Sequence, residues 1–344
     1  MPHQLLTSTQ SRPSIGHADL PAIAALYEIC EQVDQLDNTS TLAELQRRLD
    51  HPPPGGTHQR QLWETPTGEL VGVVALWLDD PANVQTAAQT DGPTDSPTDA
   101  PTDALEGWVG IFVHPDWRGQ HLEAELLSWA EQRVRQQAKA AQRPAKLCAG
   151  ARANAPYHRA LYETPGYAII RQFHTMVRSL VEPIPQPQFP PGFTSRPTHA
   201  EEAAAWVEMF NESFVDHWHF TPMTLERRQF RLTYPTYQPE LDWVAVAPDG
   251  TLAGFCGVEI DLEENALKDR KEGWIGVLGT RRGYRRQGLA RAMLLQGLHQ
   301  LRAAGMDTAL LGVDSQNPNQ AMGLYESAGF TVKETHLSYQ KQLG

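Results

Sequence analysis

Arg285-Arg286-Gln287-Gly288-Leu289-Ala290 is the stretch on which the reading of this chain turns. Before it, Trp274 to Gly279 reads as a strand ending at Gly279-Thr280. After it, Leu289 to Ala304 has the apolar period of a helix. The first N–H groups of a helix have no partner inside it and lie at the positive end of its dipole. They suit a pyrophosphate, and Gly288 lacks the Cβ that would hold phosphate oxygens away. Five arginines and no acid lie between Arg281 and Arg291, a local reversal of sign suited to a phosphorylated ligand.

A second element follows, Asn317-Pro-Asn-Gln-Ala-Met-Gly-Leu324-Tyr325-Glu-Ser-Ala-Gly329-Phe330. Both elements recur earlier in altered form. Arg118-Gly119-Gln120-His121-Leu122-Glu123 precedes Asn154 and then Leu161-Tyr162-Glu163-Thr164-Pro165-Gly166-Tyr167. Tyr325 follows Tyr162, and Asn317 follows Asn154, by 163 residues; Arg285 follows Arg118 by 167. The chain therefore reads as one fold written twice. In the first copy His121 stands at the place of Gly288 and Glu123 at that of Ala290. Bulk and negative charge thus occupy the point where a phosphate would approach. Tyr162 reads there as a packing residue.

The periodicity predicts helices over Asp19 to Leu36 and Thr41 to Leu49, the latter capped by Ser40 or Thr41. Strands follow at Gln61–Glu64, Leu70–Leu78 and Gly107–Val113, then a helix over Leu122–Ala138 and a strand over Lys146–Gly150. Pro156–Glu163 reads as a helix and Tyr167–Leu180 as one or two strands. After Glu182 the order restarts. Phe193–Arg196 is a strand, Ala200–Phe214 and Leu225–Leu232 are helices, and Trp243–Ala247, Leu252–Asp261 and Trp274–Gly279 are strands. Thr308–Val313 is a strand, Gln320–Ser327 a helix, and Phe330–Leu343 strands. This is a mixed α/β order: meandering strands pair antiparallel, and the strand–helix–strand passage requires a parallel crossover.

The expected division is a first domain over 1–182, a linker over 183–192 and a second domain over 193–344. The proline-rich Pro183 to Pro191 marks the linker. Residues 81–106, with Pro-Thr-Asp at Pro93, Pro97 and Pro101, read as a flexible acidic insertion. A length of 344 residues fits two domains. A net charge of −12 argues against nucleic acid and anionic membranes as partners. No apolar run approaches a membrane span, and Met1 to Gln10 lacks a signal-peptide pattern. Cys30, Cys148 and Cys256 give neither zinc spacing nor a disulfide framework, so a cytoplasmic protein without a metal is expected.

The paired motifs resemble those of the Gcn5-related N-acetyltransferase superfamily, strongly over Phe193 to Leu343 and weakly over about Arg12 to Leu180. Arg285, Gly288 and Ala290 fill the first motif; Asn317, Leu324, Tyr325, Gly329 and Phe330 fill the second. Two copies in one chain is the layout of mycothiol synthase-like acetyltransferases. The resemblance implies two tandem domains, each a mixed, mostly antiparallel sheet flanked by helices, with acetyl-CoA as co-substrate. It also implies that the amides of Arg285, Arg286, Gln287, Gly288, Leu289 and Ala290 hold the pyrophosphate. Leu278, Gly279 and Thr280 would pair with the pantetheine arm, Asn317 would touch it, and Tyr325 would protonate the departing thiolate.

Many relatives in that family keep a glutamate on the fourth strand. Gly273-Trp274-Ile275-Gly276-Val277 has none, which argues against both a standard base and a mycothiol precursor as acceptor. Glu259 is the first alternative base, with Glu272 and Asp261 behind it. Cys256 reads as a small buried residue. The region joining the first two helices of the second copy shapes the acceptor pocket in the family, so Asp216, His217 and Trp218 are candidates to recognise a cationic group. The reading is an acetyl-CoA-dependent N-acetyltransferase of a small-molecule primary amine, active in the second copy. A non-catalytic acyl-CoA-binding protein is the alternative. The chain would be a monomer with an internal pseudo-dimer, or a homodimer.

Overall fold

Strand and helix order follows the two runs of periodicity. The computed structural model describes residues 9–37, 40–52, 56–79, 104–217, 220, 222–233, 237–317 and 321–344. The first run gives β1 (Gln10–Pro13), α1 (Leu20–Asp34), α2 (Leu42–Asp50), β2 (Gly56–Glu64), β3 (Leu70–Asp79) and β4 (Leu105–Val113). It continues with α3 (Leu122–Ala140), β5 (Ala145–Arg152), α4 (Pro156–Glu163) and β6 (Ala168–Ser179). The second gives β7 (Thr194–Pro197), α5 (Ala203–Phe214), α6 (Leu225–Arg231), β8 (Asp242–Val246), β9 (Leu252–Glu259) and α7 (Leu262–Leu267). Then come β10 (Glu272–Thr280), α8 (Leu289–Ala303), β11 (Thr308–Asp314), α9 (Ala321–Ser327) and β12 (Thr331–Leu343). The Thr41 hydroxyl accepts the Glu44 N–H and so starts α2.

Two elements carry no period long enough to read. The four residues of β1 are fixed by pairing with β2, and Arg12 within it bonds both Asp19 and Glu64. Six-residue α7 begins where Asp261 accepts the Glu264 N–H. Most of the 81–106 insertion lies outside the described residues. Its last two residues, Leu105 and Glu106, are strand, because Glu106 is buried with Lys146 at 2.6 Å and Leu105 joins the core.

The chain divides into two compact units: Met1–Ile170 with Leu337–Gly344, and Arg171–His336. This differs from the expected 1–182 and 193–344. The cause is packing at the chain end. Leu337, Tyr339 and Leu343 lie in the first core, the Tyr339 hydroxyl donates to Glu163 at 2.8 Å, and Lys341 bonds Glu131 at 2.9 Å. Residues 173–179 of β6 pair instead with β11 in the second unit. The expected linker belongs there too: Ile184 is buried in the second core and the Pro185 carbonyl meets the His299 ring.

In the first unit, β1 to β4 pair antiparallel in sequence order, and β4 runs parallel to β5. In the second, β7 to β10 form the same meander and β10 runs parallel to β11. α8 buries Leu289, Ala292, Met293, Leu295 and Leu298 on one stripe against β9 and β10. Each fully buried leucine contributes about 1.5–3 kcal/mol. The helix lies so close that a Cβ on Gly297 would be 2.6 Å from Cys256 Sγ. Among the described residues, no helix is long and apolar enough to cross a membrane.

Candidate functional site

β10 pairs with β11 from Glu272↔Thr308 to Ile275↔Leu311, and the ladder stops there. β10 continues to Thr280 beside β9, past a register shift between Ile275 and Val277. A bulge strengthens local twist and redirects backbone groups, a common device next to active sites. The strand therefore parts from β11 over Gly276 to Thr280, and those residues keep only one strand neighbour. The sequence candidates Leu278, Gly279 and Thr280 lie on this parted stretch. Gly279 packs against the Phe255 ring, and the Thr280 hydroxyl is buried with no hydrogen-bond partner among the described residues.

Gly276 sits in the bulge, and Glu259 lies over it: a Cβ there would be 2.6 Å from Glu259 Oε1. Of the three acids considered, Glu259 alone reaches this point. Asp261 caps α7, and Glu272, at the other end of β10, faces Arg270 at 3.7 Å and Lys333 at 3.9 Å. Glu259 is half-exposed, with Arg231 at 3.3 Å. Cys256 is fully buried, and burial raises its thiol to about 12, which suits a packing residue and not a nucleophile.

Beyond Thr280 a short turn leads to α8. Arg286 and Gly288 take left-handed backbone (φ 62° and 84°), and no side chain caps the helix start. Nothing lies within 4 Å of where a Gly288 Cβ would be, so the backbone at the uncapped helix start is uncovered at Gly288. The arginines behave differently from the sequence expectation of unbalanced positive charge. Arg281 bonds Glu208 and Glu212 of α5, and Arg282 bonds Asp216. Arg285 reaches Asp216 at 2.9 Å and the carbonyls of Ser213 and Thr280. Hydrogen bonds from Arg282 and then Arg285 hold the Asp216 carboxyl below its usual range; Arg281 does the same for Glu212. These side chains shape the loop, while exposed Arg286 has no side-chain partner among the described residues and remains available to a phosphate.

Asp216, expected at the acceptor pocket, is thus placed under the loop as its anchor. His217 donates its N–H to Phe214 and sets its ring edge-on to that phenyl group at 5.7 Å. Trp218 lies outside the described residues. Tyr325 on α9 is nearly buried, with its ring edge-on to Phe330, and burial followed by the nearby Cys256 raises its phenol to about 12. It stays protonated at neutral pH, as a proton donor must. Asn317 donates its N–H to the Asp314 carbonyl, and the Asp314 carboxylate is held by Arg171.

The first unit repeats this frame with its cradle filled. Arg118 makes a bidentate pair with Asp34, where Arg285 in the second unit bonds Asp216 through one terminal nitrogen and the Ser213 carbonyl through the other. His121 takes the left-handed conformation (φ 72°) of Gly288, with an imidazole added. The Glu123 carboxylate turns back and accepts the Gly119 N–H at 2.7 Å and the Tyr157 hydroxyl at 3.4 Å. An internal anion therefore occupies the loop. β4 pairs with β3 without a register shift, so no bulge matches that at Gly276. Tyr162 is packed among Tyr167 and Tyr339.

Beside Glu259 a pocket opens, lined by Arg228, Arg231, Tyr237, Asp242, Gly257 and Val277. Arg228 and Asp242 were not legible in the sequence. A buried arginine in a short charged helix looks like any solvated one until its partner on a distant strand is known.

Comparison with known proteins agrees with this architecture. The sequence matches the family described as acetyltransferase (GNAT) over residues 20–164 and 203–330. A mycothiol acetyltransferase of Streptomyces scabiei is 28% identical over 341 residues, covering 97% of this chain and 95% of the relative. One from Frankia alni is 34% identical over 203 residues, 57% of this chain and 60% of that relative. The crystal structure of a GCN5-related N-acetyltransferase from Sphaerobacter thermophilus superposes with a TM-score of 0.71 at 25% identity, covering 97% and 96% of the chains. A tandem GNAT protein from the clavulanic acid biosynthesis pathway gives 0.71 at 15% identity over 98% and 99%, a likeness of fold.

Proposed function

Since this chain belongs to the acetyltransferase (GNAT) family and is an N-acetyltransferase, we propose that its second unit moves the acetyl group of acetyl-CoA to a primary amine of a small molecule. The observation that carries this reading is the asymmetry between the units. Strands part in both units, but the second has open space at Gly288 and a carboxylate over a bulge, whereas the first has Glu123 on its loop and no bulge between β3 and β4.

Acetyl-CoA brings an activated thioester, and the residues here fit it. The amides of Arg286 to Ala290 with Arg286 would hold the diphosphate, and Leu278 to Thr280 with Asn317 would take the pantetheine arm. Glu259 accepts the proton of the incoming ammonium, directly or through water. Backbone N–H groups at the bulge polarise the acetyl carbonyl. Tyr325, neutral at the working pH, supplies the proton to the leaving sulfur.

The relatives' shared name makes a mycothiol-type amine the first acceptor to assay. Titration calorimetry with acetyl-CoA, followed by thiol-release assays across amines, tests the proposal. One binding site and amine-dependent release are expected. Binding without release above hydrolysis would favour the non-catalytic alternative, and no binding would end the reading.

A further inference from the structure

β11 loses one of its two neighbours before it ends. Its ladder with β10 closes at Ile275↔Leu311, whereas its ladder with β6 runs on through Gly312↔Thr175 and Val313↔His174 to Asp314↔Phe173. The turn that follows, Asp314 to Asn317, therefore takes its strand support from β6. That turn carries Asn317 and precedes α9 with Tyr325.

Residues 171 and 172 of β6 tie the turn down. Arg171 Nε donates to Asp314 Oδ1 at 3.1 Å and to Oδ2 at 3.0 Å, and Nη2 donates to Oδ2 at 2.8 Å. Its other terminal nitrogen, Nη1, reaches Gln316 Oε1 at 3.0 Å. The Gln172 carbonyl accepts both the N–H and the hydroxyl of Ser315, each at 3.0 Å. Asp314 passes the constraint along the chain. Its Oδ1 accepts the Gln316 N–H at 2.9 Å, and its carbonyl accepts the Asn317 N–H at 3.1 Å. Arg171 is 9% exposed and Asp314 3%, so water competes little for these bonds. A planar guanidinium grips a carboxylate through several donors at once and so fixes its direction, which the point charge of a lysine does not.

From this geometry we infer that Arg171 is a positioning residue for the thioester arm of acetyl-CoA: it holds the turn in the arrangement from which Asn317 meets pantetheine. Arg171 acts through Asp314 and Gln316 and not by contact with the ligand. This rests on the acetyltransferase reading above and adds the residue that steadies one wall of the arm's path. Arg171 lies in the stretch Tyr167–Leu180 that closes the first copy in sequence, yet it is the first residue of the second compact unit. The copy with the altered loop thus supplies a side chain to the working site of the other.

The test uses the full chain and two ligands, acetyl-CoA and 3′-phospho-ADP, which keeps the diphosphate and lacks pantetheine. Arg171→Lys retains a charge opposite buried Asp314 but loses the fork. Calorimetry should show its acetyl-CoA binding weakened roughly 10-fold and its 3′-phospho-ADP binding unchanged to within about twofold. In an Asn317→Ala background the same substitution should cost acetyl-CoA affinity less than about twofold, because the contact it served is already gone. Gln316→Ala, at an exposed position, should show the same selectivity with a smaller loss, and it keeps the test valid if Arg171→Lys folds poorly. Equal weakening of both ligands, full additivity with Asn317→Ala, or unchanged acetyl-CoA affinity would overturn the inference. Wild-type protein that binds neither ligand would instead defeat the acetyltransferase reading itself.

Discussion

Glu259 occupies the space over Gly276 so closely that one methyl group on that glycine would sit 2.6 Å from its carboxylate. Under the function proposed above, Glu259 on β9 would serve as the base, and the bulge at Gly276 leaves room for it. Gly276→Ala should displace Glu259 and lower kcat by roughly 10- to 100-fold while leaving acetyl-CoA affinity within a factor of about three. Glu259→Gln should cost roughly 10²–10⁴ in kcat, as expected for loss of a general base. Steady-state kinetics beside calorimetry read both; a large change in affinity with unchanged kcat would contradict them.

Tyr325 should remain a proton donor over the whole accessible range. Its phenol is raised to about 12 by burial, so no alkaline fall in kcat below roughly pH 10 should trace to it. Tyr325→Phe should lower kcat by roughly 10²–10⁴ without altering the shape of the profile below that pH. A descending limb near pH 8–9 that vanishes in Tyr325→Phe would show that the proton comes off far sooner than burial allows.

Stoichiometry follows from the filled and open cradles. Wild-type protein should bind one acetyl-CoA. Gly288→Glu would import the first unit's carboxylate to within a turn of the diphosphate site, on left-handed backbone that costs a non-glycine about 1–2 kcal/mol, and binding should be lost. Glu123→Ala should leave the first titration unchanged. Two sites in the wild type would refute the division between the units.

Asp216 links the loop to stability through pH. Its carboxyl is held below the ordinary aspartate range by Arg282 and then Arg285. A depressed carboxylate contributes stability that is present above the unfolded pKa and lost as pH falls through the folded one. Asp216→Asn should therefore be less stable than wild type in urea at pH 7, and the gap should close as the pH drops below about 4. A gap that persists at pH 2 would assign the loss to packing.

Gly297 weighs helix propensity against space. Alanine is normally favoured in mid-helix by about 1 kcal/mol, yet here its methyl would meet Cys256 Sγ at 2.6 Å. Overpacking of this kind costs about 1–3 kcal/mol, so Gly297→Ala should lower the melting temperature. Cys256→Ala should restore part of the loss in the double variant, since the two positions share one contact.

Much of this was legible beforehand because it is local. Loop glycines, cap residues and the apolar stripe of α8 declare themselves within a few residues, and the spoiled loop at His121 and Glu123 was visible by alignment of the chain with itself. What escaped depends on partners far away in sequence. Arg281, Arg282 and Arg285 looked unopposed because Glu208, Glu212 and Asp216 lie 66 or more residues upstream. Asp216 looked like a substrate ligand for the same reason. Arg228 and Asp242 gain meaning only when α6 folds over β8, and β1 and α7 are too short to carry a period.

The exchange at the chain ends has a consequence for the gene. Residues 337–343 furnish a border strand to the opening half, while residues 171–179 do the same for the closing half. Neither copy can be excised as an uninterrupted reading frame without leaving both fragments short of a strand. Truncation between the two sequence repeats would therefore remove a strand from each unit and not a self-contained module.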